Sequence, residues 1–393
     1  MRYHRFDPSA CGFPRPKVPV LAPLTAEQLT SKASLPRRQP WHFARGRYAL
    51  RAAYEFAGVG PRGGLLAPAY HCRTMLDPAL RLGGEVMPYR LTADLQADLD
   101  GLRRAAKACS TPPRALLFTH FFGLPRDIAP VADWCRSQDI VLIEDCSHAL
   151  VLAPAVRTPA SSSPRIGDTG RYAVSSPYKF FPCPDGGTLW SNDAALPRGE
   201  MAAPGLVAEL RGLREALQQL CVRRDPPRLE AIEPQLQALD ENPRHTGRDW
   251  TDPGGATSAE YDPASETASS LRVSRWIQRH TDVSMMVQRR RSRYRQWADA
   301  VALLPGCRAL FPALPADCTP YMFPLLVDDP PRSFFPLKHL GVPIWRWDDM
   351  AVSDCPVSQR YRQGVFHLPC HQALTDQDMA WMTAAVARVM RGT

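Results

Sequence analysis

The sequence predicts an α/β protein with a large, mainly parallel sheet covered by helices on both faces and a smaller C-terminal α+β unit. Between residues 64 and 176, short apolar runs alternate with stretches of helical spacing. That order sets strands side by side in one parallel sheet with helices crossing over it. From Asp240 to Ser270 the chain turns polar and rich in Gly, Pro and Ser, too long for an ordinary connection. A second set of helix and strand patterns follows. The expected organisation is a Pro/Arg-rich arm over 1–43, a large unit over 44–270 that includes the polar loop 240–270, and a small C-terminal unit over 271–393.

The elements can be taken in order. Residues 1 to about 40 lack periodicity and read as an extended arm. "ARGRYALRAAYEFAGVG" is a helix entered at a glycine, with Ala49, Ala52, Ala53 and Phe56 on one side and Gly58 as its stop. "GLLAPAY" (64–70), "RALLFTH" (114–120), "IVLIED" (140–145) and "RYAVSS" (171–176) are strand-like. Between them lie two helices. One carries Leu102, Ala105, Ala106 and Cys109 on its apolar side, the other Ile128, Val131, Ala132 and Cys135. The Leu- and Arg-rich segment from Leu206 to Leu239 is helical. So is 271–303, followed by strand-like "YMFPLLV" (321–327) and "VPIWRW" (342–347). The last helix opens at Thr375, which forms a capping box with Asp378, and Met379, Met382, Val386 and Val389 follow at helical spacing.

Composition excludes several classes. No apolar run approaches the ~20 residues that cross a bilayer, and the N-terminus has no apolar core of a secretory signal. The eleven cysteines form no CxxC pair and their number is odd, which argues for reduced thiols in the cytoplasm and against a disulfide frame or a zinc site. The net charge of +9 suits a polyanionic or phosphorylated partner. Its densest run, "QRRRSRYRQW", reads as a solvated helix face with Tyr294 and Trp297 on the apolar side, and no nucleic-acid motif accompanies it.

The 48 basic residues include five lysines: Lys17, Lys32, Lys107, Lys179 and Lys338. A lysine amine can lose its proton and attack a carbonyl, whereas guanidinium stays charged. Lys179 lies in "SSPYKFFPCPDGG", just past a strand end, and Asp145 lies at the end of another. Ligands of parallel α/β sheets bind beyond such ends. A lysine and a carboxylate there form either a buried ion pair or the two poles of a pyridoxal phosphate site. Such a site also needs a phosphate cup, for which Ser175, Ser176 and the turn before the first helix are available.

"HFFGLPRDIAPVADWCRSQDIVLIEDCSHAL", followed by "IGDTGRYAVSSPYKFFPCPDGG", resembles the DegT/DnrJ/StrS family of sugar aminotransferases. "GRYAL…PAYHC…GGEVMPY" upstream and "FHLPCHQALTDQDM" near the C-terminus extend the resemblance over roughly residues 44–390. It implies a fold type I enzyme dependent on pyridoxal phosphate. Such an enzyme moves an amino group from an amino acid, glutamate by expectation, to a keto-sugar, in nucleotide-linked form, in surface polysaccharide or secondary-metabolite synthesis. By resemblance the enzyme is a homodimer with its site between subunits. Lys179 would hold the cofactor and shuttle the proton, Asp145 would pair with the pyridine nitrogen, and His148 would stand beside the ring hydroxyl. Gly46 and Arg47 would lie by the phosphate, with Ser175 or Ser176 opposite, and His71 or Cys72 over the ring. Arg272 and Arg346 are candidate substrate contacts. Three departures stand out. Val174 replaces a serine, "RGR" replaces "SGT" at the first helix, and no aromatic residue occupies the stacking position. They leave room for two alternatives: a non-nucleotide ketone or aldehyde as acceptor, or a non-catalytic relative of the fold.

Overall fold

The computed structural model describes residues 1–31, 40–151, 165–193, 195–196, 201–221, 224–241, 247–252, 254 and 257–392. The strands are β1 (Tyr3–Asp7), β2 (Trp41–Phe43), β3 (Gly64–Pro68), β4 (Val86–Tyr89), β5 (Pro113–Thr119), β6 (Val141–Asp145), β7 (Tyr172–Ser175), β8 (Gly187–Ser191), β9 (Arg248–Asp252), β10 (Cys307–Ala309), β11 (Met322–Val327), β12 (Met350–Ala351) and β13 (Val365–Pro369). The helices are α1 (Gly46–Phe56), α2 (Asp77–Arg81), α3 (Leu99–Ala108), α4 (Ala129–Ser137), α5 (Leu206–Cys221), α6 (Ile232–Glu241), α7 (Arg272–His280), α8 (Val283–Val301), α9 (Pro330–Leu340), α10 (Pro356–Gly364) and α11 (Asp376–Gly392).

Seven strands form the large sheet in the order β2-β8-β7-β6-β5-β3-β4. The pairs from β4 through β7 are parallel, and β8 runs against both of its neighbours. Alternation along β5 shows why both faces need cover. Ala115 and Leu117 pack with Ala49, Leu50 and Ala53 of α1, while Leu116 and Phe118 pack with Leu102 of α3 and Val131 of α4. Successive side chains of a strand point to opposite faces, so one run of apolar residues feeds two cores.

A second sheet, β10-β11-β13, is antiparallel. Phe323, Leu325, Phe366 and Leu368 pack there with Tyr294, Trp297 and Trp381. Met322 and Leu326, on the other face of β11, join the core of the large sheet. Burial of each such side chain contributes roughly 1.5–3 kcal/mol. The capping box at α11 is present: Asp378 N–H donates to Thr375 Oγ1 at 3.1 Å and Thr375 N–H to Asp378 Oδ2 at 3.0 Å.

Four expectations need correction. The N-terminal segment is not simply an extended arm, because β1 pairs with β9 and β12 in a third sheet and Tyr3 is fully buried. Trp41–Phe43, assigned to the arm, is an edge strand of the large sheet. The helix expected over 271–303 is two helices, since Asp282 caps α8 by accepting from Met285 N–H at 2.9 Å. "VPIWRW" is not a strand; it makes one bridge, Trp345 with His367. The polar stretch 240–270 falls partly outside the described residues. Of the rest, Arg248–Asp252 is β9, and Ser258 is bound to the buried Asp77. Among the described residues, no helix is long and apolar enough to cross a membrane.

Candidate active site

The carboxyl ends of β5, β6 and β7 converge. Thr119 pairs with Asp145 across β5–β6 and Asp145 with Val174 across β6–β7. Beyond them, Pro177–Lys179 forms a short 3-10 turn, and α1 starts at Gly46 just after β2. A cleft of about 470 Å³, counted out to solvent, opens between these ends. Asp145, His148, Ser176, Lys179, Gly46, Arg47 and Cys72 line it.

Asp145 is buried and its Oδ1 accepts the Ser147 N–H at 2.9 Å. The Lys179 amine lies 5.3 Å from the centre of the Tyr321 ring and has no ion-pair or hydrogen-bond partner among the described residues. His148 is wedged between Tyr321 and Trp347, ring centres 4.6 and 5.6 Å away. Its Nδ1 faces the Phe122 N–H at 3.4 Å, which assigns Nδ1 as acceptor and leaves the other ring nitrogen to donate. Burial, then the charge of Lys179 and the nearby His367, hold this ring neutral, its pKa well below the usual value. Phe122 adopts the left-handed conformation (φ 60°), a local strain that aims its N–H at His148.

The N-terminus of α1 is a cradle. No side chain caps it, and its first residues, Gly46 and Arg47, line the cleft, an arrangement that suits an anion. A Cβ on Gly46 would lie 2.1 Å from Ser176 Oγ, and Ser176 in turn donates to Ser147 Oγ at 2.9 Å. Gly187, where β8 passes beneath this turn, has no room either: a Cβ would meet the Arg45 carbonyl at 2.3–2.4 Å and the Gly46 nitrogen at 2.6 Å. The obstacle is backbone, which cannot swing aside. Gly187→Ala is therefore expected to cost about 1–3 kcal/mol or more by overpacking and to shift the start of α1. A urea titration checks the stability, and loss of phosphate affinity checks the cradle.

Some expected residues lie elsewhere. His71 does not line the cleft, because its Nδ1 is held by the Pro68 carbonyl at 2.9 Å and its Nε2 accepts the Ala351 N–H at 3.1 Å. Ser175 points to Thr188, hydroxyl to hydroxyl at 2.6 Å, because alternation along β7 turns it away from Ser176. Arg272, at the start of α7, is exposed and outside the cleft, its backbone N–H bound to Glu209. Arg346 is buried, bound to Asp348 at 2.6 Å and stacked 3.9 Å from the Phe334 ring centre. Sequence reasoning missed Arg45, Thr119, Tyr178 and Trp347, which all line the cleft. Arg45 packs over Tyr178 at 4.8 Å, and both flank motif residues. Trp347 is brought in from a segment that had read as strand.

His120, Glu144 and Cys146 cluster with donor atoms within 4.8 Å of one another. Glu144 already accepts N–H groups of Gly167, Thr169 and Gly170 and faces His120 Nε2 at 2.8 Å. Burial raises its pKa, but these donors outweigh that and hold it below the usual range. Glu144 thus builds the Gly167-Asp168 turn.

The residues present fit pyridoxal phosphate. The cradle suits a phosphate, Asp145 suits a protonated ring nitrogen, and the Lys179 amine has no hydrogen-bond or ion-pair partner among the described residues. Thr119 Oγ1 is a buried hydroxyl on the cleft wall without a hydrogen-bond partner among the described residues.

Residues 42–203 match the model of the DegT/DnrJ/EryC1/StrS aminotransferase family. A segment of 106 residues is 29% identical to 3-amino-5-hydroxybenzoate synthase of Amycolatopsis mediterranei (strain S699), covering 26% of this chain and 26% of that protein. A segment of 151 residues is 24% identical to dTDP-4-dehydro-2,3,6-trideoxy-D-glucose 4-aminotransferase of Saccharopolyspora spinosa, covering 38% of this chain and 37% of that protein. The alignments thus span about a quarter and somewhat over a third of these relatives. The solved DegT DnrJ EryC1 StrS aminotransferase from Brucella abortus superposes with a TM-score of 0.57 at 16% identity, over 91% of this chain and 86% of that one. Aminotransferases of this family depend on pyridoxal phosphate. Residues 42–203 are thus similar to the DegT/DnrJ/EryC1/StrS aminotransferase family, and the chain has the fold of the solved aminotransferases, fold type I.

Proposed function

We propose that this chain is a pyridoxal-phosphate-dependent aminotransferase that takes an amino group from glutamate and delivers it to a keto-sugar carried on a nucleotide. One observation carries the reading: a Lys179 amine without a hydrogen-bond or ion-pair partner among the described residues, the Asp145 carboxylate and the uncapped α1 terminus line a single cleft. When bound, the cofactor supplies a conjugated ring that stabilises negative charge on the substrate carbon. Asp145 holds the ring nitrogen by charge. Gly46, Arg47 and Ser176 hold the phosphate. Neutral His148 donates to the ring hydroxyl. The Lys179 amine, once freed, takes the proton from the donor carbon and returns it at the acceptor. A wider groove shares Arg45, Arg47 and Tyr178 with the cleft and continues along Phe181, Pro182 and Pro184. Asp185, Glu215 and Glu260 also line it, and Arg47 is paired with Glu260 at 3.2 Å. A diphosphate on the nucleotide part of the acceptor would have to take Arg47 from Glu260, with Arg45 beside it. The site belongs to a homodimer in this reading.

A second acceptor class also has support. One relative is named for 3-amino-5-hydroxybenzoate, so the domain is not tied to sugars and a carbocyclic ketone is an alternative.

The test is to add pyridoxal phosphate to the purified protein, reduce with borohydride and map the modified peptide. A visible absorbance band and modification at Lys179, among the five lysines, are expected. In a separate, unreduced sample, glutamate is expected to bleach the band and yield 2-oxoglutarate. A dTDP-linked keto-sugar and a carbocyclic ketone, offered separately, decide the acceptor. No band at all would sink the aminotransferase reading in favour of a non-catalytic one.

A further inference from the structure

Arg290 is buried at 1% exposure in α8, inside the run that reads as a solvated arginine face. Burying a guanidinium is costly unless its charge and all its donors are answered. Among the described residues no carboxylate lies within ion-pair reach of it. All its donors are nevertheless used. Nε donates to Gln372 Oε1 at 2.9 Å. Nη1 donates to the Pro320 and Tyr321 carbonyls at 3.3 and 3.1 Å. Nη2 donates to the Lys179 and Phe180 carbonyls at 3.1 and 3.4 Å. The plane lies 4.7 Å from the centre of the Phe180 ring, and Gln372 Nε2 donates to the same Phe180 carbonyl at 2.9 Å.

One fork therefore ties together the lysine turn after β7, the entry to β11 and the segment after β13. The residues it holds are Lys179 and Tyr321, whose ring the Lys179 amine overlies. Lysine carries a flexible four-carbon stem, so the direction of its amine depends on a fixed backbone. Only a planar group with donors spread around it satisfies four carbonyls and an amide at once, and lysine in its place could not.

We propose that Arg290 is a positioning residue for the cofactor lysine: through the Lys179 and Tyr321 carbonyls, and with Gln372, it sets the approach of the Lys179 amine to the aldehyde of pyridoxal phosphate. This rests on the reading of Lys179 as the cofactor lysine. In the step concerned, the amine nitrogen bonds to the aldehyde carbon, and the aldehyde oxygen leaves as water with the two amine protons. Arg290 takes no part in that chemistry.

The experiment compares wild type, Arg290→Met and Arg290→Lys, each well below its melting temperature. Two ligands are used: pyridoxal phosphate, followed by stopped-flow absorbance and borohydride trapping, and 4-deoxypyridoxine 5′-phosphate, which lacks the aldehyde and binds only reversibly. Both variants are expected to bind the deoxy compound with wild-type affinity and to form the covalent bond at least about tenfold more slowly, in line with the up to ~100-fold cost of a 1 Å misplacement. Equal loss for both ligands would make Arg290 merely structural and overturn the proposal, as would an unchanged covalent rate. If Arg290→Met does not fold, Arg290→Lys and Gln372→Met decide the matter by the same two numbers. A wild type that binds neither ligand refutes the cofactor reading itself, which is a distinct result.

Discussion

Lys179→Ala is expected to fold, to retain reversible affinity for pyridoxal phosphate and to form no borohydride-stable product at that position. Lys179 is half-buried, and among the described residues its amine has no ion pair or hydrogen bond to lose. The fold is therefore little affected by truncation. The phosphate cradle at Gly46, Arg47 and Ser176 is untouched, so reversible binding persists. What disappears is the covalent tether and the proton shuttle. Transamination should fall by at least the ~10²–10⁴-fold that a positioned proton-transfer group contributes. Lys179→Arg should be as inactive, because guanidinium keeps its charge and cannot condense with an aldehyde. Difference spectra, mass mapping after borohydride and 2-oxoglutarate formation read these three consequences separately. Wild-type turnover in either variant would exclude Lys179 from the reaction.

The second large effect is a loss of stability in mild acid. His71, His367 and His371 are all 0–1% exposed. Burial is the first cause that depresses each, to about 4, about 3 and about 3 respectively. Burial outweighs the facing groups that favour a charge, which are the Pro68 and Ala69 backbone beside His71 and the Pro19 carbonyl and Asp378 beside His371. His367 meets the Tyr70 hydroxyl at 3.0 Å and feels the Lys179 cation. His371 meets the Pro19 carbonyl at 3.0 Å and, among others, the Arg290 cation. His71 lies between backbone groups and feels Arg73. In the unfolded chain each ring takes up a proton near pH 6.5, whereas the folded ring does not until pH 3–4. Over that window the unfolded state binds more protons, so stability is full above about pH 6.5 and falls as pH drops. Each ring contributes about 1.4 kcal/mol of loss per pH unit, so three rings remove several kcal/mol within a unit or two. Urea midpoints at about pH 7.5, 6.5 and 5.5 measure the slope. A midpoint that does not move across that range would contradict the burial of these rings as neutral groups.

The architecture was legible wherever the pattern was local. The runs at 64–70, 114–120, 140–145 and 171–176 each coincide with an observed strand to within a residue or two, since a run of β-formers bounded by turns needs no distant partner to be recognised. The capping box at Thr375 was legible for the same reason. β1 and β9 were not, because their pairing is distant: residues 3–7 pair with 248–252, and β1 also with β12. Arg290 was missed for a different reason. Met286, Arg290, Tyr294, Trp297 and Val301 share one helix face, and all are buried. The spacing was visible, but an arginine on an apolar stripe reads as solvated until the carbonyls that receive it are known.

By itself the sequence determined the alternation of strands and helices between 64 and 176, and singled out Lys179 and Asp145 at neighbouring strand ends as candidates, with glycines and serines around them. Only the tertiary structure decided which members of adjacent pairs face the cleft: Ser176 and not Ser175, Cys72 and not His71, with Arg45 beside Arg47. It alone brought Trp347 against His148 and placed Arg290 behind Lys179. The division has a physical cause. Residue chemistry and short-range periodicity are properties of the local chain. The direction of a side chain at a strand end, and the partner that meets it, are set by how distant segments pack.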